Sequence, residues 1–224
     1  MPAPSSATPI PYCSDVDAIP QTRRPISDRL TRFRPVLPLL AATALALSAC
    51  GTTPATRYLI EAAPDEERAP VRLRLRTMEL RDVMLPAYGE GSQILREETA
   101  GALVAIRGAE WADGSSSAIT AELARRLDLR STATVAAEPW PLADPADLRL
   151  EVRLTRVVAR ADGQFQLSGQ YAVASPDGRR RDFIERIDIT VPITADAGEA
   201  RAVAEAYGRA LEELAELILA RLAR

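Results

Sequence analysis

Between Leu148 and Val191 apolar side chains fall on every second position in three successive runs, the period of strands that bury one face. Leu148, Leu150, Val152, Leu154 and Val158 alternate with Arg149, Glu151, Arg153 and Thr155. Asp162-Gly163 is a hairpin turn signal, after which Phe165, Leu167, Gly169, Tyr171 and Val173 oppose Gln164, Gln166, Ser168 and Gln170. Pro176-Asp177-Gly178 turns the chain again into Phe183, Ile187, Ile189 and Val191. The expected element is a three-strand antiparallel meander with one apolar face that must be covered.

The last residues supply the cover. From about Ala197 onward Val203, Tyr207, Leu211, Leu214, Ile218 and Leu222 recur at three- and four-residue steps, with Glu199, Glu212, Glu213 and Glu216 elsewhere on the helix. A second helix is expected shortly after Trp111, capped by Asp113 or one of Ser115 to Ser117, with Ile119, Leu123 and Leu127 on one face. Trp111 is expected to pack under its start. The fold class is therefore α+β: an antiparallel sheet that includes the C-terminal meander, covered on one face by two helices. Shorter strands are expected at Tyr58-Leu59-Ile60, along Val71, Leu73, Leu75 and Thr77, at Ile94-Leu95, at Ala102 to Ile106, and from Thr132 to Val135. Asp65 to Arg68 reads as a solvated turn, and Pro139-Trp140-Pro141 as a strand end. Arg72, Arg74 and Arg76 alternate with the apolar residues and read as an outer face, with phospholipid headgroups as the other contact open to them.

Upstream of the domain stands Leu47-Ser48-Ala49-Cys50-Gly51, which follows an uncharged apolar run from Val36 to Ala49. That run is shorter than the roughly 20 residues a membrane-spanning helix needs, and Pro38 weakens it further. Arg23, Arg24, Arg29, Arg32 and Arg34 precede it, so positive region, apolar region and small residues stand in signal-peptide order. Small side chains ending in a cysteine form a lipoprotein cleavage site, with the cut between Ala49 and Cys50 and acyl chains such as palmitate carried on Cys50. Gly51, rather than an aspartate, follows the cysteine, which favours the outer membrane. The expected organisation is an overlong start plus lipoprotein signal peptide over 1–49, an acylated tether over 50–56, and a single domain over 57–224.

Composition then excludes several chemistries. The chain has two cysteines, Cys13 and Cys50; the first leaves with the precursor and the second is acylated, so no disulfide forms. No histidine is present, which removes Ser-His-Asp and Cys-His catalysis and the commonest metal ligand, and no cofactor or metal site is expected. Every cation is arginine, which excludes Schiff-base lysine chemistry. Loss of five arginines and three aspartates with the precursor takes the net charge from −3 to −5, and no nucleic-acid partner is expected.

Leu85-Pro86-Ala87-Tyr88, ahead of Gly89-Glu90-Gly91-Ser92, forms a loop that exposes apolar side chains, and Leu85, Pro86 and Tyr88 are candidate partner contacts. The alternative is that Leu85 and Tyr88 fold back to cap the core. A Tyr-Leu strand soon after the lipoprotein site leads into this segment; Ile94-Leu95-Arg96, Ala105-Ile106, Glu110-Trp111-Ala112 and a helix follow. In that order the chain resembles the ABC-type transport auxiliary lipoproteins, the family of the paraquat-inducible, MCE-associated system. The chain departs from the family pattern at Gly89-Glu90-Gly91-Ser92 and Asp113-Gly114-Ser115. The resemblance implies a non-enzymatic subunit of a lipid transport system. Such a subunit docks a periplasm-spanning MCE-domain protein at the outer membrane and through it an ABC permease and ATPase; a ring of copies is a further analogy.

Two other classes stand beside it. A carboxylate-based hydrolase would draw on Glu79, Glu97, Glu98, Glu110 and Asp113, yet Glu97 and Glu98 are neighbours on a strand and point to opposite faces. An outer-membrane assembly lipoprotein acting on β-barrels or lipopolysaccharide would share the anchor and the α+β fold.

Overall fold

The structure is a computed structural model, and it describes residues 54–60, 69–99, 101–194 and 199–224. The precursor, Cys50 and the Asp65 to Arg68 turn lie outside the described residues. Among the described residues eight strands and two α-helices follow in order. They are β1 (Thr56–Tyr58), β2 (Thr77–Leu80), β3 (Gln93–Thr99), β4 (Ala102–Trp111), α1 (Ser115–Leu129), β5 (Thr134–Ala137), β6 (Leu148–Ala159), β7 (Gln164–Ala174), β8 (Phe183–Pro192) and α2 (Glu199–Leu222).

The meander forms as its period demands. β6 and β7 pair antiparallel from Arg149↔Ala174 to Ala159↔Phe165, and β7 and β8 from Gln164↔Pro192 to Val173↔Phe183. Leu148, Leu150, Val152, Leu167, Tyr171 and Ile187 are buried on the inner face. Both helices cover that face. Ile119, Leu123 and Leu127 of α1, with Leu211, Leu214 and Ile218 of α2, are buried in one core with the strand residues.

β6 is the spine at which the sheet forks. One of its edges carries β7 and then β8, whereas β2 and β3 pair in parallel with its two ends, at Met78↔Leu148 and Arg96↔Ala159. β5 joins β2 in parallel, and β4 and β1 extend the sheet beyond β3. These parallel pairings make the sheet mixed outside the meander, a feature that alternation along one strand cannot register. A bulge interrupts β6 between Leu154 and Arg156, opposite Gly169 and Ser168. Gly169 is required there, because a Cβ would overlap the Arg153 carbonyl oxygen and lie 2.8 Å from Leu154 Cα.

Three local expectations change. Residues 71–76 keep alternate burial, but the strand starts at Thr77, because the Asp147 carboxylate takes the N–H groups of Arg76 and Thr77. No side chain caps α1: Gly114 is its N-cap, and Asp113 Oδ1 accepts instead from the Gly114 N–H at 2.7 Å. Trp111 packs edge-on against Tyr207 of α2, with ring centroids 5.8 Å apart, and so braces the C-terminal helix.

Candidate functional site

Residues 77–99 run alongside β6 for its whole length, and the Leu85 to Tyr88 segment is where this run leaves the ladder. Arg81 N–H donates to Leu150 O, Met84 N–H to Val152 O, and Leu154 N–H back to Met84 O, at 2.8 to 3.0 Å. Pro86 cannot donate, and its φ of −66° starts a single 3-10 turn over Ala87–Gly89. The ladder resumes only at Arg96. Within the gap the Tyr88 hydroxyl accepts from the Val157 N–H at 3.0 Å. Leu85 is half-buried against the core, Pro86 and Tyr88 are half-buried, and Met84 is exposed.

The flanks of the loop are tied to α1. Val83 N–H donates to Thr120 Oγ1 at 2.9 Å, Ser116 Oγ donates to Val83 O at 2.7 Å, and Ser115 Oγ donates to Gly91 O at 3.1 Å. The loop is therefore fastened on both flanks to α1, with Leu85 folded back onto the core and Tyr88 onto β6. Tyr88 also lines a shallow depression of about 610 Å³ on the outer face, with Glu97, Leu103, Arg156 and Gln166. Backbone N–H groups of Gly101 and Ala161 bond to Glu97 and hold its carboxyl below the ordinary range.

The remaining carboxylates are dispersed rather than brought together. Glu79 is buried and paired with Arg149 at 2.9 Å, Glu98 pairs with Arg96 at 3.0 Å, Glu110 lies 3.9 Å from Arg57, and Asp113 bonds Gly114. Glu97 and Glu98 do line one depression with Glu199, but there Glu97 is held by the Gly101 and Ala161 N–H groups and Arg96 pairs with both Glu98 and Glu199, so each carboxylate serves a local structural bond. Among the described residues no group of three or more Cys, Asp or Glu is placed to hold a metal ion. Burial pushes the Tyr171 phenol up to about 12 and Tyr207 higher still, so both remain neutral core side chains.

A second feature escaped the sequence reading. Arg74 and Arg76, read as an outer strand face, meet Arg179, Arg180 and Arg181, which follow the Pro176-Asp177-Gly178 turn, around two adjoining clefts that share Arg180. Arg221 from the last turn of α2 completes the group and lies 4.2 Å over the Phe183 ring. Two separate arginine-rich stretches in the sequence were the only signal available. Their convergence depends on the pairing of β2 with β6.

Residues 58–219 match the model of the ABC-type transport auxiliary lipoprotein component family. Among solved structures, an uncharacterized protein is similar at 13% identity and a TM-score of 0.57, over 75% of this chain and 99% of that one. Protein XCC0632 from Xanthomonas campestris is similar at 16% identity and a TM-score of 0.53, over 76% of this chain and 94% of that one. At such identities the likeness is one of fold. No curated protein matches the sequence. No helix among the described residues is long and apolar enough to cross a membrane.

Proposed function

The chain belongs to the ABC-type transport auxiliary lipoprotein component family, and from that membership we propose that it is the lipid-anchored docking subunit of an MCE-type lipid transport system. The family is non-catalytic, and its members are auxiliary components of ABC-type transport. In the proposed reading the precursor is cut between Ala49 and Cys50. Cys50 then carries the acyl anchor, palmitate included, and holds the domain on the periplasmic face of the outer membrane. The domain docks a periplasm-spanning MCE-domain protein, which connects it to an ABC permease and ATPase in the inner membrane.

The family match carries this reading, because it begins eight residues after Cys50 and takes in nearly the whole described fold. Two structural features support it. The carboxylates are spent on local bonds, and the Leu85, Pro86 and Tyr88 loop is fastened to α1 and β6, which suits a contact surface better than a reactive centre. The outer edge of β8, which among the described residues pairs with β7 alone, is a further surface on which copies of the chain can assemble.

Membrane fractionation with palmitate labelling tests the anchor and its location. The wild-type chain is expected to be labelled and to sediment with outer membranes, and Cys50→Ala to be unlabelled and released. Labelled protein confined to inner membranes would contradict the location, and labelled Cys50→Ala would contradict the anchor.

A further inference from the structure

The arginine-lined end of the domain is a candidate interaction surface. Its larger cleft, about 500 Å³, has Leu148, Val173 and Leu222 as an apolar floor and Arg180, Arg181 and Arg221 around it. Its neighbour, about 320 Å³, is bordered by Arg74, Arg76 and Arg179. The three aspartates in these walls already have partners. Asp147 accepts the Arg76 and Thr77 N–H groups, Asp182 accepts the Ser175 N–H, and Asp177 accepts the Ser175 hydroxyl and the Arg179 N–H and pairs with the Arg179 guanidinium. Among the described residues no carboxylate pairs with Arg74, Arg76 or Arg181. A chain of net charge −3 thus concentrates cations, some of them unpaired, at one end.

A local structural role accounts for part of this cluster only. Arg221 complements the carbonyl end of α2 and pairs with Glu185 at 2.8 Å, and Arg180 donates to Arg74 O. Neither role extends to Arg76 or Arg181. Guanidiniums beside aromatic and aliphatic groups are the composition of a protein contact core, and here Arg221 lies over the half-buried Phe183 ring beside Leu148, Val173 and Leu222.

Position separates a protein partner from a membrane. The arginine end is marked by Leu148 at the start of β6 and Leu222 near the end of α2. The chain enters the described fold through β1, which pairs with β4, and that part of the sheet joins β6 through β3 at its other end, at Ala159. The chain thus enters the described fold nearer the Ala159 end of β6 than the arginine end, and on the anchored reading proposed above this favours a periplasmic partner over the anchoring leaflet.

We propose that this end docks an acidic polypeptide segment of the periplasmic partner, its carboxylates on Arg76, Arg180, Arg181 and Arg221 and an apolar side chain over Leu148 and Val173. The inference rests on the docking role proposed above and adds the surface and the chemistry that reads it.

Binding of the full acylated chain in detergent to the MCE-domain protein of the same organism tests it, measured at about 50 mM and about 300 mM salt. Arg76→Glu/Arg181→Glu is expected to weaken binding by about ten-fold or more at low salt, with a smaller loss at high salt. Arg107→Glu, which makes the same type of change outside both clefts, is expected to leave binding unchanged. Arg76→Gln/Arg181→Gln keeps the test valid should the charge reversal misfold, and is expected to bind with intermediate affinity. Undiminished binding by a folded double variant would overturn the proposal. So would loss of binding to phosphatidylglycerol vesicles with partner binding intact, which would assign the clefts to lipid. If the wild-type chain does not bind the MCE-domain protein, the docking role itself fails and this inference falls with it.

Discussion

The Tyr88 hydroxyl stands where a strand carbonyl would stand, accepting the Val157 N–H at 3.0 Å in the gap between two parallel stretches of ladder along β6. Pro86 forces the chain off β6, and a side chain from the detour returns to satisfy the donor left behind. The loop that exposes Met84 is thereby fastened to the spine of the sheet.

Tyr88→Phe leaves that N–H without its partner, and the expected cost is about 1 kcal/mol, read as a lowered urea midpoint. Val157 is only half-buried, so water can replace part of the bond. If the loop is also a docking ridge, the same variant weakens partner binding while the fold persists. Unchanged stability would show that the bond carries no load.

Arg126 is buried between the helices, bonding Glu122 at 2.8 Å within α1 and Glu212 of α2 at 2.6 Å, while Arg130 also holds Glu212 at 2.8 Å. Glu212→Ala leaves the Arg126 charge with one of its two carboxylates and is expected to destabilise by about 3 kcal/mol. Arg126→Met/Glu212→Leu, which removes both charges, is expected to recover most of that loss. A double variant no more stable than Glu212→Ala in thermal unfolding would contradict this assignment.

Gly169→Ala forces a Cβ against the backbone of Arg153 and Leu154 at the β6 bulge. The obstacle is main chain rather than a movable side chain, so a cost of about 3 kcal/mol or more is expected. Exchange-protected amides along β6 and β7 report it by losing protection together. Retained protection would mean that the bulge can slide past the extra carbon.

Glu97 has its carboxyl lowered from an ordinary value of 4.5, chiefly by the Gly101 N–H and then by the Ala161 N–H. A folded value below the unfolded one means that the stabilisation is present above pH 4.5 and is lost as pH falls through the folded value. Asp177, lowered by the Ser175 hydroxyl and the Arg179 N–H, acts with the same sign. Glu97→Gln is therefore expected to flatten the acid limb of a stability–pH curve. A limb as steep as the wild type's would contradict the bond's contribution.

The elements most legible in the sequence were those whose burial follows one period. The meander from Leu148 to Val191 and the stripes of Ile119, Leu123 and Leu127 and of Val203 to Leu222 read directly, because each residue's environment depends on its own element. Features created by distant segments did not. Asp147 captures the Arg76 and Thr77 N–H groups from 70 and more residues away where β2 begins, and Trp111 stands edge-on to Tyr207 of the distant α2. The arginine clefts escaped for the same reason: Arg76 and Arg180 each look solvated until the β2–β6 pairing brings their segments together. Arg126, in an arginine-rich helix, carries no local mark of burial.

Affinity purification of the acylated chain from separated outer membranes, with mass spectrometry of the proteins retained and Cys50→Ala as control, tests the docking role most directly. An MCE-domain protein and its permease are expected with the wild-type chain and not with the control. Recovery of β-barrel assembly or lipopolysaccharide proteins in their place would contradict the transport role while leaving the anchor intact.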